Sequence, residues 1–182
     1  WKEPPRDALD RLTLGEVNMT LLESYEQLDY MPFDPQIKRT EGTVKDTRSR
    51  VQFKTTKGAP HIILSLLDPA DQQIREDVEH DVARLGENGI RSLAVARLDY
   101  TTEKWKMMGL LTFLDPPRPD TKTTIEDGHK YGVEVKMITG DHLLIARNTA
   151  RMLEMGDRIF TAERLPMLDS ETKEKPAHLS KM

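Results

Sequence analysis

Cysteine is absent from the 182 residues. That removes disulfide staples and thiolate metal sites, and it is compatible with a reducing compartment. Long apolar runs are missing as well, so direct insertion of this chain into a membrane is not expected. No cationic-then-apolar segment opens it, so no signal peptide is visible. It begins at Trp1 rather than Met, which suggests an excised piece of a longer protein. Aromatics make up only 5% of the residues, so each one is worth placing. The formal charge of -4 argues against nucleic acid as the main partner. Five histidines (His61, His80, His129, His142 and His178) show no metal spacing, and no metal ligand is assigned. A Ser-His-Asp arrangement, a Gly-x-Ser-x-Gly elbow and internal repeats are all missing. What remains is 37% hydrophobic and 32% charged. That is a globular composition, long enough for one large domain or two small ones.

Residues 1–29 read as helical after Pro4-Pro5, with Gly15 interrupting the middle. Pro32 and Pro35 in "YMPFDPQIKRT" rule out a helix there and suggest a connection. "TEGTVKD" and "RVQFKTTKG" read as strands joined by a hairpin turn at "DTRS". "APHIILSLL" predicts a short helix. Ile74, Val78, Val82 and Leu85 mark one stripe of an amphipathic helix closed by Asn88-Gly89. The acids Glu76, Asp77, Glu79 and Asp81 on it form a solvated face rather than a catalytic pair. "IRSLAVARL" and "KMMGLLTFL" predict two buried strands around the turn "DYTTEKW". The three prolines of "DPPRPD" make the clearest break. Beyond it, Asp120 caps a helix through Tyr131 that Gly132 stops. "VEVKMI" then predicts a strand, "TGD" a turn, and Leu143, Ala146, Ala150 and Leu153 a helical stripe. This β–loop–α order is typical of one corner of a parallel, doubly wound sheet, yet one such unit cannot bury both faces of a parallel strand. The tail from Glu163 is polar and reads as loop or disorder.

Few residues carry a chemical signal. Thr139 offers a hydroxyl, Gly140 a close backbone turn, and Asp141 either a helix cap or a ligand contact; an ordinary strand-to-helix turn has the same makeup. Lys57-Gly58-Ala59-Pro60 ends a strand and opens a helix, where an ammonium beside a helix N-terminus favours phosphate, or where a surface lysine simply flanks a turn. It is not a P-loop, because the Gly-x4-Gly-Lys-Ser/Thr spacing is missing. Phe33, between two prolines, can stack on a base or plug a local core, and Lys38 nearby can meet phosphate. Arg91 starts a strand straight after a helix cap and can clamp phosphate or salt-bridge to an acidic neighbour.

Taken in order, "FDPQIKRT … KGAP … GIRSLAVAR … GLLTFLDPPRPDTKTTI … VKMITGD" resembles the cytoplasmic region of P-type ATPases. "PFDPQIKRT" and "DPPRPDTKTTIEDGHKYGVEVKMITGDHLLIARNTARMLEMG" are especially similar to the plasma-membrane proton-pump branch. The resemblance covers roughly residues 4–160. It implies an α+β nucleotide-binding domain, an antiparallel sheet flanked by helices, over residues 1–116. A partial α/β, Rossmann-like phosphorylation-domain fragment of the haloacid-dehalogenase kind then covers 117–162, and a polar tail 163–182. It implies adenine stacking on Phe33, a nucleotide site lined by Asp7, Lys38, Lys57 and Gly58, phosphate contact by Arg91, and approach of Thr139, Gly140 and Asp141 to the nucleotide. Asp115, Pro116, Pro117 and Arg118 look like one strand of the hinge.

The same resemblance implies ATP as ligand and Mg2+ in the intact enzyme. Its implied partners are the remaining phosphorylation, actuator and membrane domains of the same pump, and its location is the cytosolic side of a plasma membrane. Positioning ATP for transfer to an aspartate drives proton export in that family. Here the Asp-Lys-Thr-Gly-Thr motif carrying that aspartate and the Gly-Asp-Gly-x-Asn-Asp motif holding magnesium are both absent, and are expected before residue 1 and after residue 182. No catalytic residue and no metal site is therefore assigned within the chain, which alone is expected to be inactive. His61 follows KGAP where the family often has Glu, which puts a Glu-based contact there in doubt. The alternatives are a non-catalytic nucleotide-binding or regulatory module and a haloacid-dehalogenase-like phosphatase fragment.

Overall fold

Alternating apolar and polar residues between Tyr25 and Phe113 build one five-stranded antiparallel sheet in the computed structural model, which describes residues 8–156 and 158–161. Its strands are β1 (Tyr25–Asp34), β2 (Arg39–Asp46), β3 (Gln52–Gly58), β4 (Arg91–Asp99) and β5 (Lys104–Phe113), lying side by side in chain order. Two hairpins close on the same device. The Asp46 carboxylate accepts from the Arg48 N–H at 2.8 Å, and the Asp99 carboxylate from the Thr101 N–H at 2.9 Å. Such Asx turns mimic a backbone turn, and those N–H groups hold both carboxyls below their ordinary values.

The core lies where short side chains on β4 leave room for a helix. Ala94 and Ala96 are fully buried against Ile63 of α3 (Pro60–Leu64), with Leu66, Trp105, Met107 and Leu110 around them. Burying Ile63 alone contributes about 2–3 kcal/mol. Pro60 opens α3 with its φ already set for a helix. Arg75 of α4 (Gln72–Glu87) donates to the carbonyls of Leu67 at 2.6 Å and Asp68 at 3.2 Å, and to Leu64, satisfying acceptors that the end of α3 leaves open. Gly89 follows α4 with a φ of 74°, and its N–H donates to the Gly86 carbonyl at 2.9 Å, as expected of a helix-ending glycine.

The helical expectation for residues 1–29 is corrected. α1 (Ala8–Gly15) and α2 (Met19–Leu22) are short, and the chain is already strand from Tyr25. Val44 and Phe53 on the neighbouring strands give this polar segment a ladder to join, so tertiary pairing overrides local propensity. Pro32 lies inside β1, not in a connection. The strand is an edge, and its register slips between Met31 and Asp34, where a missing N–H costs no ladder bond. β5 is the other edge and is not the buried strand expected: Met108 is 61% exposed where a bulge opens against Val95/Ala96.

The chain divides into two units, the first running up to Leu85 and including Arg91–Phe113, the second comprising Gly86–Ile90 and the chain from Leu114. The second holds α5 (Thr121–Lys130) and α6 (Leu143–Met152). Ala146 and Ala150 of α6 are buried, as are Leu153 just past it and Ile125 of α5, matching the apolar stripe. Asp120 stands at the start of α5 without a side-chain cap bond, contrary to expectation, and Gly132 at φ 76° follows its end. "VEVKMI" forms no strand, and the described residues of this unit contain none. A strand exists only through a hydrogen-bonded neighbour, and here none is supplied. The expected Rossmann-like corner is therefore not formed among the described residues. The polar tail, residues 163–182, lies outside them.

Candidate functional site

One end of the sheet collects most of the residues singled out above. β1 finishes there at Phe33-Asp34, β2 begins at Arg39, β3 finishes at Lys57-Gly58, and β4 begins at Arg91. The register pairs Arg39 with Gly58, and Gly58 with Ala94. The turn between β1 and β2 is tight: the Lys38 N–H donates to the Asp34 carbonyl at 2.7 Å, and the Gln36 N–H to the Asp34 carboxylate at 2.7 Å. Lys38 takes a φ of 53°, the left-handed region. The same Lys38 carbonyl then accepts the Ala59 N–H at 3.2 Å, tying this turn to the β3–α3 corner.

Gly58 explains why these two segments meet. A Cβ there would sit 2.5 Å from the Lys38 carbonyl oxygen and 2.6 Å from the Arg39 Cβ. Both neighbours are backbone or its first carbon, so no side-chain rotation relieves the clash. The glycine is thus required for close approach, and it places Lys57 beside the turn that carries Lys38. Phe33, on the edge strand just before that turn, is 57% exposed. It does not plug a core. The aromatic pair that does pack, Tyr25 edge-on to Phe53 at 6.1 Å, lies toward the other end of the sheet, with the Arg97 guanidinium 3.9 Å over the Phe53 ring.

Lys57 is paired with Asp10 of α1, both side chains 24% exposed. The acidic residue expected here, Asp7, lies outside the described residues; among those described, Asp10 makes this contact with Lys57. A second missed feature is a polar network on the core-facing side of the same end. Arg39 binds Glu41 at 2.5 Å, Lys54 binds Glu41 at 2.8 Å, and the buried Thr56 hydroxyl donates to the Thr40 carbonyl at 2.6 Å. Burial pushes the Glu41 carboxyl up, but the hydrogen bonds from Arg39 and Lys54 outweigh it and hold the group below its ordinary value. The ammonium of Lys54 is raised by Glu41. The signal was present: Arg39 and Glu41 are two apart on one strand, hence on one face, with Lys54 diagonal to Glu41 across the hairpin.

Thr139, Gly140 and Asp141 lie in the second unit and are described there alone. The Asp141 N–H donates to the Thr139 hydroxyl oxygen at 3.1 Å, and that hydroxyl donates to the Asp141 carboxylate at 2.9 Å. The helix cap is His142, not Asp141: its Nδ1 accepts the Leu144 N–H at 3.4 Å. Thr139 and Gly140 are exposed. Asp115, Pro116, Pro117 and Arg118 are without regular structure. No group of three or more His, Asp or Glu gathers as a metal site among the described residues.

The chain is 50% identical to the probable proton ATPase 1A of Leishmania donovani over 168 residues, 92% of this chain and 17% of that protein. It is 40% identical to a putative cation-transporting ATPase of Methanocaldococcus jannaschii over 90% of this chain and 20% of that protein. It is 34% identical to plasma membrane ATPase 1 of Saccharomyces cerevisiae over 90% of this chain and 18% of that protein. The chain is similar to a segment of these proton and cation-transporting ATPases. No family model matches it. The chain spans 17–20% of the length of these relatives. Its antiparallel sheet with flanking helices agrees with the nucleotide-binding fold expected of P-type ATPases. No helix among the described residues is long and apolar enough to cross a membrane.

Proposed function

We propose that the sheet end bearing Phe33, Lys38, Lys57 and Gly58 binds the adenine nucleotide of a P-type proton pump, with Arg91 contributing to phosphate contact. The observation that carries this reading is the close approach at Gly58, which sets the Lys38 turn against the end of β3 that carries Lys57, with the exposed Phe33 just before that turn. An adenine ring can lie against Phe33, with stacking on the order of 1–3 kcal/mol, while the ammonium groups neutralise phosphate oxygens. The residues fit a nucleotide; a magnesium grip is not assigned to them. Asp7, Thr139, Gly140 and Asp141 complete the proposed nucleotide contacts in the intact protein, and Asp115–Arg118 its hinge.

In this reading residues 1–116 form the nucleotide-binding domain and 117–162 part of the phosphorylation domain. The intact protein, with its actuator and membrane domains, is a plasma-membrane proton ATPase whose ATP-binding part faces the cytosol. ATP is held for transfer to an aspartate outside this chain, with Mg2+ supplied at that second site, and the protein exports protons. Positioning and charge neutralisation are the contributions expected of such a domain.

The test is an ATP titration followed by NMR. Shifts at Phe33, Lys38 and Lys57 are expected, with weak affinity and no hydrolysis. An ATP titration that leaves those three residues unmoved overturns the reading.

A further inference from the structure

We infer that Asp10 is a built-in competitor for the anionic ligand of Lys57, and that α1 is the strap it holds in place. The inference rests on the proposed nucleotide site and adds a regulatory element to it. α1 contains no fully buried residue: Leu9 and Leu12 are exposed and Leu14 is half-buried. Apolar burial therefore contributes little to docking this helix. Among the described residues, a charged contact that ties it to the sheet is the Asp10 carboxylate on the Lys57 ammonium. A lysine ammonium has three donors and no acceptor, so a carboxylate and a phosphate oxygen compete for the same few positions and the same charge.

The consequence is a two-state element. With Lys57 on Asp10, α1 is tethered and the ammonium is partly neutralised. With Lys57 on a polyphosphate, Asp10 becomes a nearby like charge to that ligand, and α1 loses its tether. Each ligand of Lys57 weakens the other by the same factor, as linkage requires. An ion pair that still keeps 24% of each side chain in solvent is modest in strength, which sets the size of the effect at about threefold to fivefold.

The probe is inorganic tripolyphosphate, which carries phosphate charge without a base. Asp10→Asn is expected to bind it about threefold to fivefold more tightly at low salt than the parent chain. Adding Lys57→Gln should erase that gain in a double-mutant cycle. Hydrogen exchange across Ala8–Gly15 should quicken both in Asp10→Asn and on adding tripolyphosphate to the parent. Equal or weaker tripolyphosphate binding by Asp10→Asn overturns the inference, as does unchanged exchange in α1. The site itself is read separately with adenosine, which lacks phosphate. If adenosine moves Phe33 while Asp10→Asn gains nothing, the site stands and the competition falls. If Asp10→Asn gains but neither adenosine nor ATP moves Phe33, the competition stands and the nucleotide reading falls.

Discussion

Two isoleucines mark the difference between the two units. Ile63 is fully enclosed under the sheet, while Ile138 is 97% exposed on a segment with the same apolar alternation as a strand. Each antiparallel strand finds its partner one hairpin away or, for β3 and β4, across α3 and α4. The "VEVKMI" segment has the composition of a strand and no neighbour to pair with among the described residues. Composition proposes a strand, and a partner makes one.

The largest effect expected from breaking this contrast is Ile63→Ala. Removing a fully buried side chain between Ala94 and Ala96 should cost about 2–5 kcal/mol in chemical denaturation. Next is Gly58→Ala. Its Cβ meets backbone that cannot yield, so a loss of about 1–3 kcal/mol is expected, together with loss of ATP-induced shifts at Lys38 and Lys57. A Gly58→Ala chain as stable as the parent would remove the case for the close approach. Phe33→Ala separates site from scaffold. Stability should change by less than about 0.5 kcal/mol, while ATP binding weakens about tenfold, following the lower part of the stacking range.

The meander itself was legible because hairpins announce themselves. "DTRS" carries its own Asx turn at Asp46, and "DYTTEKW" does the same at Asp99. The stripe Ala146, Ala150 and Leu153 was legible for the equivalent helical reason. The start of β1 was not, because "YEQLDYMPFD" has few apolar residues and two features that argue against a strand, Pro32 and mixed charge. Its strand state comes from β2, and a partner's influence does not appear in local pattern. For the candidate site, residue type at chain corners singled out Phe33, Lys38, Lys57 and Gly58, which the fold gathers at one end of the sheet. Asp10 was missed because the orientation of α1, which turns Asp10 toward Lys57, is set by packing rather than by spacing.

Acid sharpens the comparison further. Glu41, Asp46, Asp68 and Asp99, all in the sheet unit, are held below their ordinary values. Groups depressed in the folded state stabilise it above their unfolded values of 4.5 for Glu and 3.8 for Asp, and that stability is lost as pH falls through the lower folded values. The sheet should therefore weaken progressively below about pH 4.5. Glu41→Gln should cost about 1 kcal/mol at neutral pH and reduce the steepness of that acid loss, measured as denaturation midpoint against pH. An unchanged slope would mean that Arg39 and Lys54 do not hold Glu41 in solution as they do here.

The smallest effect is expected at Ile138. An isoleucine that touches almost nothing contributes almost nothing, so Ile138→Asp should shift the stability of this chain by less than about 0.5 kcal/mol. The same substitution in Ile63 would bury an unmatched charge and prevent folding. The Ile138 result is informative because a large apolar side chain left 97% exposed is what a neighbouring element would cover. If the intact protein supplies that neighbour, Ile138→Asp should be silent in this chain and costly in the longer one, by about 2–5 kcal/mol. Thermal unfolding of both, with and without the substitution, measures the difference. A large loss already in the short chain would mean that Ile138 is covered in solution, and the contrast between the two isoleucines would disappear.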